Sequence, residues 1–139
     1  MTVINKIFSV KTEGFCDLIN ITEHVALILA DSGVDVGVVT LFVIGSTAAL
    51  TTFEYEPGVV KDMNELYEKL VPMKKGYHHD ATWGDANGFS HVRAALQGPS
   101  LAIPFEGGRM FLGAWQQIVL CDFDNQGRSR KIAVSVMGE

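Results

Sequence analysis

Three of the four histidines of this 139-residue chain fall close together in one polar stretch that also holds two aspartates. The ligand or proton-transfer groups that this stretch offers are His79, His91, Asp85 and Asp80. Neutral imidazoles and carboxylates bind zinc and other divalent ions, and histidine also moves a proton readily near pH 7. We expect His78 to be exposed. The spacing matches no closed zinc motif, so a solvated polar loop stays open as the alternative.

Three shorter patterns could bind a phosphate or a cation. Gly45-Ser46-Thr47 lies at a strand break, where two hydroxyls can donate to phosphate oxygens, although an ordinary turn explains the same residues. Asn87-Gly88 precedes a short helix, whose free N–H groups and dipole favour an anion. Glu54 and Glu56 share one face of a strand and could hold Mg²⁺, but surface solvation explains them nearly as well.

For five other residues we expect a structural role in place of ligand binding. Trp115 lies in a long apolar run and is expected in the core. Arg128 and Arg130 alternate with a serine on a terminal strand, where a solvated or intersubunit ion pair is the default expectation. Cys16 and Cys121 are far apart without a partner motif, which predicts two free thiols with a buried packing role.

Hydrophobic periodicity and turn residues predict the elements that position these groups. The predicted strands cover residues 2–11, 36–44, 47–54, 101–106, 110–124 and 128–137, and the predicted helices cover 21–32, 57–71 and 90–97. Residues 36–44 are apolar on both faces, which indicates a covered central strand paired with its neighbour 47–54. Residues 74–90 show neither the helical period of 3.6 residues nor the strand period of two, and their composition is typical of a functional loop.

The order of these elements predicts the fold class. The last three strands are joined by glycine-containing turns, which favours a β-meander. Strands and helices do not alternate as they do in a doubly wound fold. We therefore expect an α+β fold, with a mixed or largely antiparallel sheet and two to three helices packed on one face.

Composition limits the classes of protein and partner. No linker or repeat divides the chain, which predicts one domain over residues 1–139. The formal net charge of −5 opposes a basic phosphate-binding patch, so nucleic acid is not an expected partner. The longest apolar stretch, 36–44, is far shorter than the roughly 20 residues that span a bilayer, and the N-terminus lacks the apolar core of a signal peptide. We expect no membrane association and a cytoplasmic location.

A spaced set of short motifs resembles the YjbQ family over nearly the whole chain. The motifs are Gly45-Ser46-Thr47-Ala48-Ala49-Leu50-Thr51-Thr52, Glu56-Pro57-Gly58, Asn87-Gly88 with Ser90-His91, Gly98-Pro99-Ser100, Leu112-Gly113-Ala114-Trp115-Gln116, Asp122-Phe123-Asp124 and Gly138-Glu139. The chain departs from the family's common pattern at Phe89, where a histidine is usual, so a three-histidine metal site is not expected. In many relatives Pro-His precedes the first residue of the Ser-Thr pair, so Gly45-Ser46 indicates a variant subgroup whose substrate can differ.

The resemblance implies a homotrimer of α+β subunits with secondary thiamine-phosphate synthase activity. That reaction couples hydroxymethylpyrimidine diphosphate with thiazole phosphate and releases pyrophosphate. Combined with the patterns above, the expected site comprises His79 and His91 as catalytic groups, Ser46, Thr47, Asn87, Gly88 and Ser100 as phosphate-binding groups, and His79, His91, Asp85 and Glu54 as ligands of a divalent metal, Mg²⁺ or Zn²⁺. The alternative is a homotrimer that binds a metal or a small phosphorylated molecule without this catalysis.

Overall fold

The computed structural model describes residues 1–139 and contains eight strands and four helices. In chain order they are β1 (Thr2–Lys11), β2 (Asp17–Asn20), α1 (Thr22–Ser32), β3 (Val36–Ile44), β4 (Ala48–Glu54), α2 (Pro57–Leu70), α3 (His78–Trp83), α4 (Gly88–Gln97), β5 (Ser100–Glu106), β6 (Arg109–Met110), β7 (Gln116–Asp122) and β8 (Ser129–Gly138). No helix combines the length and apolar character needed to cross a bilayer.

The strands form two sheets in which every pairing is antiparallel. One sheet has five strands in the order β1-β8-β3-β5-β6, and the other has three in the order β2-β7-β4. The predicted α+β class is confirmed. The helices, however, do not all pack on the same face of a sheet. Helix α1 contributes Val25 and Leu29 to the core between the sheets, whereas α2 and α4 cover the other side of the three-stranded sheet.

The three-stranded sheet is the central layer, because its strands alternate between two cores. On β7, Ile118 and Leu120 belong to the core shared with the five-stranded sheet. The intervening Val119 and Cys121 belong to the core shared with α2 and α4. The period of two in a strand therefore places successive side chains in different layers. Both cysteines are buried free thiols, as predicted.

Strand β3 is covered on one face only, and it does not pair with β4. Its inward residues, such as Val39 and Leu41, are fully buried, whereas Val38 and Phe42 on the other face are 40% and 48% exposed. Its partners are β5 and β8, while β4 pairs with β7 in the other sheet. Residues 45–47 carry the chain from one sheet to the other, so the predicted pairing of adjacent strands is wrong.

The C-terminal third is not a β-meander. Strand β5 pairs with β3 and β6, β7 lies in the other sheet between β2 and β4, and β8 lies between β1 and β3. The predicted strand 110–124 is broken by a turn before Gln116, and Trp115 in that turn is 74% exposed. The expected core role of Trp115 is therefore wrong, because the residue lies outside the strand that enters the core.

The polar stretch 74–90 is partly helical. The sequence shows no helical period here because α3 has only six residues, fewer than two turns. Helix α4 begins at Gly88, two residues earlier than predicted. The side chain of Asp80 accepts from the backbone N–H of Tyr77 and thereby holds the first turn of α3. The predicted helices 21–32 and 57–71 match α1 and α2 to within one residue at each end.

Candidate functional site

A polar cavity of about 300 Å³ lies where the chain crosses between the two sheets. Its wall comes from the β3–β4 crossing, from the N-terminal half of α4 with the residue before it, and from the β7–β8 connection with the start of β8. Its lining residues are Gly45, Ser46, Thr47, Asn87, His91, Asp124, Arg128 and Arg130. Four residues predicted at the site, Ser46, Thr47, Asn87 and His91, are thus brought together from segments distant in sequence.

Arg130 is buried beneath this cavity and is held by a carboxylate. Its guanidinium donates through Nε and Nη2 to the two oxygens of Asp122, at 2.8 and 2.9 Å. The side chain of Arg130 is 8% exposed and that of Asp122 is fully buried. The expected solvated or intersubunit ion pair is therefore wrong for Arg130. The sequence signal that could have revealed this burial is the two-residue spacing along β8, which puts Arg130 on the same face as the core residues Ile132 and Val134.

The hydroxyl of Thr47 is already used within the protein. Its Oγ1 donates to Oδ2 of Asp124 at 3.0 Å and accepts from Nη2 of Arg130 at 2.6 Å. A threonine hydroxyl has one proton to donate, so Thr47 has none left for a phosphate oxygen. Thr47 therefore lines the cavity as a positioning residue. Ser46 is the exposed hydroxyl of the pair and faces the same cavity.

Asp124 is a buried carboxylate surrounded by donors. It accepts hydrogen bonds from the Asn125 N–H, the Asn87 amide, the Thr47 hydroxyl and Nε of Arg128. Burial by itself raises the pKa of the Asp124 carboxyl, but these hydrogen bonds outweigh burial and hold the pKa below its usual range. Asp124 is consequently an anion at neutral pH and an acceptor whose lone pairs are already engaged.

Asn87 and Gly88 were predicted to bind an anion at the N-terminus of α4, but both donate hydrogen bonds to carboxylates of the protein itself. The Asn87 amide lies between two carboxylates and can donate to Asp124 in one orientation and to Asp85 in the other. The Gly88 N–H donates to Oδ1 of Asp80 at 2.9 Å, so the N-terminus of α4 already holds an anion from the protein itself. A Cβ on Gly88 would lie 2.4 Å from Cβ of Tyr77, which makes Gly88 a packing residue.

His79 and His91 are neighbours, as the sequence suggested, and only His91 lines the cavity. Their ring centroids are 4.3 Å apart at an interplanar angle of 41°. Nδ1 of His79 lies 3.3 Å from a carboxylate oxygen of Asp85. His78 is exposed. Asp85 therefore contacts His79, His79 contacts His91, and His91 lines the polar cavity.

Part of the predicted metal set is assembled. Potential ligand atoms of His79, Asp80 and Asp85 lie within 4.8 Å of one another. Both oxygens of Asp80 already accept backbone N–H groups, so His79 and Asp85 are the freer ligands. Glu54 is exposed at the opposite end of β4, where it pairs with Gln116, and is not part of this cluster.

Glu56 does not form the predicted cation pair with Glu54. Its carboxylate instead accepts from the backbone N–H groups of Gly58 and Val59 and caps α2. Capping satisfies donors at the helix N-terminus that have no partner within the helix. The Glu54–Glu56 spacing therefore reflects a helix start.

An apolar groove of about 450 Å³ adjoins the polar cavity. It is lined by Phe42, Gly45, Ser46, Ala48, His91, Ala94, Ala95 and Pro99. Gly45, Ser46 and His91 therefore line both spaces. Ser100 follows the groove at the start of β5, opposite Phe42 in the register, and is exposed without lining either space. Sequence reasoning missed this groove, because its walls come from β3, α4 and the residue before β5.

Phe89 stands where the resemblance leads one to expect a histidine, and it is a core residue here. The ring is 1% exposed, and the guanidinium carbon of Arg93 lies 5.1 Å from its centroid. Arg93 is itself buried and ion-paired with Glu68. Phe89 therefore lies on the buried side of α4 and contributes no group to the cavity.

Comparisons with known proteins agree with the motif pattern. The model of the family described as "UPF0047 protein YjbQ-like" matches residues 6–139. A UPF0047 protein of Archaeoglobus fulgidus is 36% identical over 129 residues, covering 93% of this chain and 98% of that protein. A UPF0047 protein of Methanothermobacter thermautotrophicus is 36% identical over 139 residues, covering 100% and 95%. The crystal structure of a YbjQ-like protein of unknown function from Sulfolobus solfataricus P2 has a TM-score of 0.94 and 29% identity, covering 99% of each chain.

Proposed function

This chain belongs to the YjbQ-like UPF0047 family, and from that membership we propose that it is a secondary thiamine-phosphate synthase. The reaction would couple hydroxymethylpyrimidine diphosphate with thiazole phosphate and release pyrophosphate. The observation that carries the proposal is the shared wall of the polar cavity and the apolar groove at Gly45, Ser46 and His91. A phosphorylated ring compound has the same division into an anionic end and an apolar end.

The two spaces match what this reaction needs. A departing diphosphate is stabilised by cationic and hydrogen-bond donors fixed in place before the reaction, and Arg128, Arg130 and Ser46 line the polar cavity. The rings need a surface that holds them in contact while water is excluded, and Phe42 and Pro99 line the groove. The combination supports a phosphorylated heteroaromatic substrate over a purely ionic one.

His91 is the residue for which we propose a proton-transfer role. It is the only ionisable side chain that lines both spaces. Its ring is backed by His79, which is in turn oriented by Asp85 at 3.3 Å. The coupling forms a bond from the thiazole nitrogen to the methylene carbon and breaks the carbon–oxygen bond to the diphosphate, so the proton transfer we propose for His91 is donation to the departing diphosphate.

The test uses the purified protein with both substrates and Mg²⁺, with the coupled product detected by mass spectrometry. We expect product above a heat-killed control, strongly reduced product for His91→Ala and parental product for the matched control His78→Ala. Absence of product from the parent protein, together with no binding of either substrate, would contradict the proposal. Circular dichroism of each variant checks that the substitution leaves the fold intact.

The second candidate is a metal- or phosphate-binding homotrimer without this catalysis. The observation that favours it is the cluster of His79, Asp80 and Asp85, whose donor atoms suit a divalent ion such as Mg²⁺ or Zn²⁺. Elemental analysis after purification without chelators distinguishes the two functions. A stoichiometric metal that is lost in His79→Ala, with no coupled product, supports this candidate. A metal-free protein that neither Zn²⁺ nor Mg²⁺ binds in titration contradicts its metal version.

A further inference from the structure

Arg130 presents an unused part of a buried guanidinium to the polar cavity. Its Nε and Nη2 are engaged by Asp122 and Thr47, whereas Nη1 donates to no group of the protein. Every side-chain polar atom that is fully buried has a hydrogen-bond partner in this protein. Nη1 therefore reaches accessible space, and the space that Arg130 lines is the polar cavity. The guanidinium plane is fixed by the bidentate pair with Asp122, so the direction of its free donors is fixed as well.

Gly45 leaves the room that these free donors need. A Cβ built on Gly45 would lie 2.9 Å from Nη1 of Arg130, which is closer than real Cβ contacts come. The φ angle of +148° at Gly45 is one that residues with side chains rarely adopt. Glycine at this position therefore keeps the approach to Nη1 open.

The rest of the wall is also suited to an oxyanion. Arg128 uses Nε for Asp124 and is 43% exposed, so its remaining guanidinium nitrogens are available. The exposed Ser46 can donate a hydroxyl proton. Asp124 is the single carboxylate in the wall, and in either orientation of the Asn87 amide it accepts from three donors, Thr47, Asn125 and Arg128. The free groups facing the cavity are thus mainly donors.

We infer that the polar cavity is a phosphate subsite in which Nη1 of Arg130 and the outer edge of Arg128 donate to the oxygens of a phosphate or a diphosphate. This inference rests on the proposed function, which makes the anion the phosphorylated end of the substrate. It assigns the binding of that anion to the two arginines and Gly45, rather than to Thr47 or the N-terminus of α4. Arginine suits this role because its planar fork matches phosphate oxygens.

The test measures binding of pyrophosphate and of inorganic phosphate by calorimetry at constant ionic strength, in EDTA, so that metal-mediated binding does not contribute. Gly45→Ala retains every charge and blocks Nη1, and Arg128→Gln removes the second guanidinium. We expect each variant to weaken pyrophosphate binding at least about tenfold, as for the loss of a charge-assisted hydrogen bond. Gly33→Ala controls for placing alanine at a positive φ, because its φ is +69° and no atom lies within 4 Å of the added Cβ. The φ of +148° at Gly45 is more restrictive, so circular dichroism checks that Gly45→Ala remains folded.

The outcomes separate this inference from the proposed function. Weaker pyrophosphate binding in Gly45→Ala and Arg128→Gln, with parental binding in Gly33→Ala, supports the subsite even if no thiamine phosphate is formed. A parent protein that binds neither anion at millimolar concentration overturns the subsite. Parental affinity in Gly45→Ala also overturns it, whether or not the coupled product is detected. Preference for pyrophosphate over phosphate identifies a diphosphate end as the ligand, and the reverse preference identifies a monophosphate.

Discussion

His91 combines a fixed direction with access to both halves of the site. It lies in the first turns of α4, and its ring packs against His79 at 4.3 Å between centroids. His78 is exposed and lines neither the cavity nor the groove. The two histidines therefore form a matched pair for testing which side of the polar stretch contacts the ligand.

We predict that His91→Ala weakens pyrophosphate binding, whereas His78→Ala does not. Loss of a well-placed contact to a charged ligand costs at least about 1.5–3 kcal/mol, roughly tenfold to a hundredfold in affinity. His79→Ala should have an intermediate effect, because His79 acts through the ring of His91. Calorimetry measures the affinities, and circular dichroism checks the fold. A damaging His78→Ala with a harmless His91→Ala would reverse the orientation assigned to the site.

The buried thiols make a second residue-scale prediction, which concerns stability. Burial raises the pKa of Cys16 to about 11 and that of Cys121 to about 12. Thiols in the unfolded chain ionise near pH 9, so the unfolded state releases protons that the folded state retains. The stabilising contribution is therefore complete below about pH 9 and is lost as the pH rises through 11.

We expect the free energy of unfolding, measured by urea titration, to fall as the pH rises from about 9 to about 11. In the double variant Cys16→Ala/Cys121→Ala this decrease should be shallower. Iodoacetamide should label neither thiol of the native protein at pH 8 and both in urea. Equal slopes for parent and double variant, or rapid labelling of the native protein, would show that the thiols are not protected by burial.

Helix α4 is the element on which the site depends, and its start is set by contact with the segment before it. Asn87 enters the hydrogen-bond network of Asp124, while Gly88 packs against Tyr77 at the start of α3. Asp80 joins the two helices because its carboxylate accepts from both Tyr77 and Gly88. A change at Gly88 should therefore affect both helices and the position of His91.

We predict that Gly88→Ala destabilises the protein by about 1–3 kcal/mol, since the added Cβ would overlap Tyr77 and overpacking typically costs that much. The control is Gly113→Ala, where the added Cβ meets its nearest neighbour, Gln116, at an ordinary 3.6 Å. The free energy of unfolding from urea titration measures both. Gly113→Ala should change it by less than about 0.5 kcal/mol, as surface substitutions usually do. Equal stabilities of the two variants would remove the packing role assigned to Gly88.

The whole molecule leaves one face of its five-stranded sheet uncovered. Apolar side chains on that face remain partly exposed, namely Val3, Ile7, Val38, Phe42 and Met137. The registers place Val3, Met137 and Val38 in one row across β1, β8 and β3, and Ile7 and Phe42 in a second row, with a polar row between them. Exposed apolar patches rimmed by polar residues usually mark an interface. We propose that further copies of the chain cover this face in a homotrimer, which also accounts for the two-sided apolar pattern of β3.

We predict that Val38→Glu disrupts this homotrimer, because it places a charge in the row of exposed apolar side chains formed with Val3 and Met137. Leu66→Glu on α2 is the matched control, since Leu66 is 43% exposed and Val38 is 40% exposed. Size-exclusion chromatography with light scattering measures the mass of each. The parent and Leu66→Glu should have three times the mass of the 15.2 kDa chain, and Val38→Glu should be smaller. A monomeric parent protein, or a trimeric Val38→Glu, would contradict the proposed interface.

The sequence by itself determined the local elements and the residue types of the site. The spacing of Val25 and Leu29 predicts α1, and Pro57 marks the start of α2, because these signals act within a few residues of the chain. The histidines of the polar stretch and the Ser46-Thr47 break are visible for the same reason. All of these predictions depend on period and on turn chemistry, both of which are local properties.

Only the tertiary structure decided which strands pair and which polar groups are free. A strand has the same period of two whether its partner is the next strand or a distant one, so the separation of β3 from β4 could not be predicted from their patterns. Arg130 and Thr47 are 83 residues apart, yet their hydrogen bond fixes the guanidinium and occupies the hydroxyl. Whether a side chain binds a ligand depends on which of its donors the folded protein leaves unused, and that is set by contacts between distant segments.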